Sequence, residues 1–277
     1  LAAGTSYSFS FVLINPSYAQ AARAISIQAS GTMASVQTMT SDQGDLLGIA
    51  AGRAPLRTVV ASFSTAFITQ TTPLVQVVNY IIVFLQANIN IPRGSRVSIT
   101  GLNATSSPDE QSCFQMELFP HGQLFAPEGC ARWTQASGLL EMTVQTDLRA
   151  SDVYQIVFPV LNPPTAQASP HVEISGEIDS SSAEVRGLSG YRVAQIALRD
   201  MQKDDTTTFG LPSGANVLKT IQNRMLLQHI RQDYPLAKGN NTITVMLRSL
   251  TDMPMGSRIT LSGLTGSSTP STEKLPV

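Results

Sequence analysis

Charge is the first scarcity in this sequence. Asp, Glu, Lys and Arg make up 13% of its 277 residues, against roughly 25% in a typical soluble chain. The 18 basic and 19 acidic side chains nearly cancel, to a net charge of −1. A nucleic-acid binder normally shows a basic excess on one face, which weakens the case for that partner class, and no nucleic-acid partner is expected. Lys and Glu are few, which argues against a coiled coil or long-helix protein. Long apolar runs are missing too. No residue between 58 and 92 is charged, but Gln70, Thr71, Thr72, Pro73, Gln76, Asn79, Gln86 and Asn88 interrupt the stretch. A spanning helix needs about 20 predominantly apolar residues, so no membrane span is expected.

Chemistry-bearing residues are sparse. His121, His171 and His229 are scattered, and no two of them have a zinc-protease spacing. No glycine-rich phosphate loop and no GxSxG is present. No acid/base or nucleophile constellation stands out, so an enzyme is not expected, nor a cofactor or a metal centre. What the sequence does have is apolar residues, 42% of the chain, enough for a core and against wholesale disorder. Ser and Thr make up about a fifth. Opening on Leu1 without a start methionine, the sequence reads as an excerpt or a processed product.

The chain repeats itself. Asn79, Ile81, Val83 and Leu85 match Asn241, Ile243, Val245 and Leu247 at an offset of 162 (241 − 79). The match continues without a gap: Pro92, Gly94, Ser95, Arg96, Val97, Ile99, Gly101 and Leu102 meet Pro254, Gly256, Ser257, Arg258, Ile259, Leu261, Gly263 and Leu264. A second pair matches at an offset of 147 (154 − 7), where Tyr7, Phe9, Phe11, Leu13, Asn15 and Pro16 meet Tyr154, Ile156, Phe158, Val160, Asn162 and Pro163. The offsets differ by 15 residues, which places an insertion at about 197–224. A period near 150 is domain-sized, unlike the 20–50 residues of solenoids. The expected organisation is the C-terminal part of one repeat (1–60), a complete repeat (61–222) and the N-terminal part of the next (223–277), in a frame the repeat alone does not fix.

The matched segments alternate apolar and polar with period 2, the signature of half-buried strands. Further strands are expected at 24–29, 113–118, 139–145 and 172–175. The fold class predicted is therefore all-β: tandem Ig-like antiparallel β-sandwich domains. Pro159 marks its strand as an edge or a bulge. The insertion leaves room for one short helix near 213–226, capped by Ser213 with Val217, Leu218, Ile221 and Met225 on one face.

The phrases NTITVMLRSLTDMPMGSRITLSGLTGSSTP (241–270), AGTSYSFSFVLINPSYAQAA (3–22) and YQIVFPVLNPPTAQASP (154–170) resemble the tandem β-sandwich repeats of giant secreted or cell-surface proteins of unicellular algae, of flagellar-hair or cell-covering type. The resemblance covers most of the chain and brings no catalytic motif with it. It implies an extracellular, repetitive structural polypeptide whose partners are copies of itself or other filament subunits.

A few residues carry site expectations of their own. Cys113 and Cys130, 17 positions apart, read as a disulfide or as free thiols. Asn103 and Asn240 open N-glycosylation sequons beside turns. Tyr80, Ile82 and Phe84 make the outer face of one strand as apolar as its inner face, where the other repeat has Thr242, Thr244 and Met246. A strand apolar on both faces is covered on both, by a loop of its own domain or by a neighbour. These three residues are the candidate packing interface. The rival function is an adhesin stalk or glycan-binding module, with Trp133, Arg132 and the Asp109–Glu110 loop as its site; for Trp133 the alternative is a place in the core.

Overall fold

A computed structural model describes residues 1–30, 35–103, 105–116, 124–125, 129–179 and 194–271. The chain divides into two compact units, Leu1–Asn223 and Arg224–Val277.

The first unit begins with two short strands, β1 (Ser26–Ile27) and β2 (Gln37–Thr38), which pair only with each other. Ten strands follow: β3 (Phe63–Gln70), β4 (Val78–Ala87), β5 (Arg96–Thr100), β6 (Glu110–Gln115), β7 (Cys130–Thr134), β8 (Leu139–Thr143), β9 (Tyr154–Leu161), β10 (Glu173–Glu177), β11 (Gln195–Asp200) and β12 (Gln202–Lys203). They form two sheets, one in the order β12-β3-β4-β9 and one in the order β11-β10-β5-β8-β7-β6. All pairings are antiparallel except β12 with β3. The expected all-β sandwich is thus present. Its ten strands, counted among the described residues, compare with seven to nine in immunoglobulin domains.

The period-2 pattern sets which side chains fill the core. Ile81, Val83 and Leu85 on β4 and Phe158 on β9 face Val97, Ile99, Trp133, Leu140 and Ile174 of the larger sheet, and all are buried. The Phe114 ring joins the layers, 5.4 Å from Trp133 and 6.2 Å from Phe158. Each such side chain contributes about 1.5–3 kcal/mol by leaving water. β9 is an edge strand, which accommodates Pro159 without breaking an interior ladder. Between β4 and β5, the Ser95 amide donates to the Pro92 carbonyl (3.2 Å) with Gly94 at φ 89°. The left-handed third position is what a type II turn requires. Gly101 (φ 88°) is needed for a second reason: a Cβ there would run into the His171 carbonyl.

The second unit pairs β13 (Met225–Gln232) with β14 (Ile243–Ser249) in a two-stranded antiparallel sheet. His229 lies opposite Met246, as Phe67 lies opposite Phe84 in the β3–β4 pair. The turn at Gly256 (φ 90°), closed by Ser257 N–H to Pro254 O (3.0 Å), repeats the one at Gly94.

Three expectations need correction. No helix forms near 213–226: residues 212–218 run through turns, and Ser213 and Leu218 have φ of 52° and 54°, which an α-helix does not allow. This segment is instead the counterpart of 42–58 at the same offset of 162. Leu47, Gly48, Ala51 and Leu56 have positive φ, as do Phe209, Gly210, Ser213 and Leu218. Leu46 bridges Ile49 as Thr208 bridges Leu211, and Gln20 bridges Thr58 as Gln167 bridges Thr220. The apolar spacing that suggested a helix face serves this turn-rich loop, which buries Val217 and Leu218.

The insertion therefore does not lie at 197–224. Ser26 opposite Thr38 matches Glu173 opposite Asp200, so the offset changes from 147 to 162 within the hairpin of β10 and β11. Lastly, residues 7–14, expected as a strand, form none, nor do 259–261. A strand exists only with a partner. Segment 7–14 corresponds to β9, whose partner in the complete repeat is β4, and residues 1–30 hold no copy of β4.

Candidate functional site

The two outer faces of the sandwich differ in kind. On the larger sheet, Glu177 (β10), Arg96 (β5), Glu141 (β8) and Arg132 (β7) stand on four successive strands. Arg96 reaches Glu177 and Glu141 at 3.7 Å each, and Arg132 reaches Glu141 at 3.6 Å. Such exposed pairs contribute about 0–1 kcal/mol each. Their message is that this face is built for water.

The smaller sheet presents the opposite. The strand register puts Tyr80 opposite Pro159, Ile82 opposite Val157, and Phe67 opposite Phe84. The Phe67 and Phe84 rings sit 6.0 Å apart, tilted by 50°. Tyr80, Ile82 and Phe84 are all half-buried, neither sealed by a loop nor standing free. Period-2 alternation puts every one of these side chains on the outer face. The corresponding positions in the other copies are Ser10, Val12, His229, Thr242, Thr244 and Met246, so the patch belongs to the complete repeat.

Behind the patch lies a buried polar node. The Asn79 amide nitrogen donates to Gln70 Oε1 (2.9 Å) and Asn162 Oδ1 (3.0 Å). Its oxygen accepts the amides of Thr71 and Thr72. Asn162 donates to the carbonyls of Thr72 and Leu74, and Gln70 donates to those of Gly214 and Lys219. The Leu218 amide closes the network on Gln70 Oε1 (2.7 Å). Each of these side chains is buried, and a buried polar network is favourable only when its members are satisfied, as they are here. The node fixes the loop 204–220 and the ends of β3, β4 and β9. Nearby, burial alone would raise the Asp204 carboxyl, but the Thr206 amide and hydroxyl and the Thr69 hydroxyl together outweigh it and hold the group below the usual aspartate range.

The remaining expected site residues fall as follows. Cys113 and Cys130 form a disulfide between the neighbouring strands β6 and β7, with Cα atoms 4.5 Å apart. Asn103 and Asn240 are both exposed; Ala104 of the first sequon and His121 lie outside the described residues. Trp133 is 0% exposed and donates its indole N–H to the Ser107 carbonyl (3.2 Å). It is a core residue, not a platform for a sugar ring. Arg132 is engaged with Glu141, and Glu110 folds back on Ser112: the Ser112 hydroxyl and amide, with the Cys113 amide, hold its carboxyl below the ordinary value.

One cluster was not foreseen. His171 Nε2 lies 3.2 Å from Asp200 Oδ1 and 3.5 Å from Glu173 Oε1, on the β10–β11 hairpin. These donors are of the kind that hold a divalent cation. Their counterparts Ala24, Ser26 and Thr38 carry no such set. The i, i+2 spacing of His171 and Glu173 was the available signal; Asp200 joins only through the cross-strand register. The sequence matches no known protein-family model and no curated protein.

Proposed function

We propose that the chain is a structural repeat segment of a large extracellular filament or cell-surface protein, acting through rigid bead packing and assembly. The observation that carries this reading is the asymmetry of the complete bead. One sheet faces solvent with an alternating charge row; the other carries the half-buried apolar patch of Tyr80, Ile82 and Phe84. Apolar patches of this kind mark interaction sites. The repeat supports a serial architecture, and the disulfide and exposed sequon asparagines support an oxidising, extracellular setting. The partner of the patch is another copy or another filament subunit. The glycan-binding alternative loses its main support with the burial of Trp133.

Sedimentation velocity on the chain and on its Phe84→Asp variant tests the reading. The variant is expected to keep the bead's thermal transition and to lose lateral association, and an Ile82→Lys variant to do the same. Association unchanged in both variants would defeat the assignment of this face. Loss of the fold in both would make the patch a part of the core.

A further inference from the structure

Two carboxylates of the β10–β11 hairpin stand where a cation is wanted. Glu173 and Asp200 face each other directly across the two strands. Like charges in opposite positions of an antiparallel pair repel and destabilise it. Elsewhere on this sheet arginine resolves the conflict: Arg96 stands between Glu177 and Glu141. Among the described residues, no Lys or Arg forms an ion pair with Glu173 or Asp200. The side chain that reaches both is His171, whose Nε2 lies 3.5 Å from Glu173 Oε1 and 3.2 Å from Asp200 Oδ1.

We propose that His171, Glu173 and Asp200 bind a divalent transition-metal ion of the zinc class. Zinc holds imidazole nitrogen and carboxylate oxygen at about 2.0–2.2 Å, which sets tetrahedral ligand atoms about 3.3–3.6 Å apart. The two histidine-to-carboxylate distances are close to that edge, and the three ligand atoms all lie within 4.8 Å of one another. The two positive charges of the ion balance the two opposed carboxylates. The imidazole selects zinc, copper or nickel over calcium and magnesium, which prefer all-oxygen sites. His171 and Asp200 are exposed and Glu173 is half-buried, so the ion enters from solvent and water completes its coordination.

The ligands stand on a fixed frame. His171 and Glu173 flank Val172, and Asp200 precedes Met201. Val172 and Met201 are both buried, and the Met201 amide donates to the Val172 carbonyl at 2.9 Å. Glu173 also pairs with Thr100 of β5, so its strand is held on both sides. Gly101 lets the chain after β5 close on the backbone of His171, where a Cβ would stand 1.9 Å from the His171 carbonyl oxygen. On the other strand, Arg199, next to Asp200, donates to the Phe63 carbonyl. Ligands carried on strands keep their spacing better than ligands carried on loops. The counterparts Ala24, Ser26 and Thr38 offer neither imidazole nor carboxylate, so the site is particular to the complete repeat. The inference stands apart from the assembly reading and from the Phe84 face.

Calorimetric titration of the chelator-treated chain with Zn²⁺ near neutral pH tests it. One saturable site is expected. His171→Gln and Asp200→Asn should each weaken it at least about tenfold, since losing even an outer partner of a metal ligand commonly costs about 10–100-fold. Glu177→Gln, on the same face but outside the site, and His229→Ala, in the other unit, should leave it unchanged. Calcium or magnesium in millimolar excess should not displace the zinc. With Cu²⁺ as the probe, electron paramagnetic resonance should show one nitrogen ligand, and His171→Gln should remove it. The thermal transition of the metal-free chain, which both site variants should keep, separates lost binding from lost fold. No saturable binding, binding that survives both site substitutions, or displacement by calcium overturns the proposal and leaves His171 as a hydrogen-bonded neighbour of two carboxylates.

Discussion

Truncating Asn79 to Ala should be among the most damaging single changes outside the apolar core. The Asn79 side chain is fully buried and makes contacts in two directions. Losing it does not orphan every partner. Gln70 Oε1 keeps the Leu218 amide, and the Thr71 amide keeps the Tyr80 carbonyl at 3.0 Å. Two groups lose the partner that Asn79 gave them: Asn162 Oδ1 and the Thr72 amide. At about 1–3 kcal/mol for each buried group left unsatisfied, the cost is about 4 kcal/mol. For a bead of this size that is a fall in melting temperature of about 8–16 °C. Thermal and guanidinium unfolding followed by circular dichroism read it directly. Asn162→Ala and the double variant complete a cycle, which should show a coupling of about 1–3 kcal/mol because the two amides share a hydrogen bond. Asn241→Ala is the internal control. It removes the counterpart residue, which is exposed, and should change stability by less than about 0.5 kcal/mol. A loss below about 1 kcal/mol at Asn79, or strict additivity with Asn162, would refute the reasoning.

Two more outcomes follow from the same geometry. Replacing Cys113 and Cys130 together by Ser should lower stability by about 3 kcal/mol on the chain-entropy estimate, seen as an earlier guanidinium midpoint; a shift worth less than about 0.5 kcal/mol would mean the strap closes no freedom the unfolded chain uses. Asp204 should make the bead acid-sensitive. Its folded carboxyl is depressed, so the stability it contributes is complete above the unfolded value of about 3.9 and is lost as pH falls through the lower folded value. Asp204→Asn should flatten that acid limb, and an unchanged pH profile would remove Asp204 from the account.

Much of the bead was legible because its signal is local and periodic. Ile81, Val83 and Leu85 announce a strand by alternation alone. Pro159 announces an edge by what it cannot donate, and β9 is an edge. The disulfide required only two cysteines and a setting. The failures have a common cause: a tertiary partner decided the outcome. Val217, Leu218 and Ile221 have helical spacing, but Leu218 donates its amide to Gln70 of a distant strand, and the loop takes left-handed turns to reach it. Phe9 and Phe11 have the alternation of a strand, but alternation supplies no neighbour. Trp133 beside Arg132 fits a sugar site or a core equally well in sequence; the Phe114 ring and the Ser107 carbonyl decide for the core. His171 meets Asp200 only through a pairing register that no single segment encodes.

Electron microscopy of the native material, with intact-mass analysis of the same sample, addresses the structural role most directly. The account predicts regular filaments that contain this chain with hexose-bearing glycans. Their axial beading should be about 3–4 nm, the length of a ten-residue strand such as β4. Dispersed, flexible single chains without lateral order would contradict it.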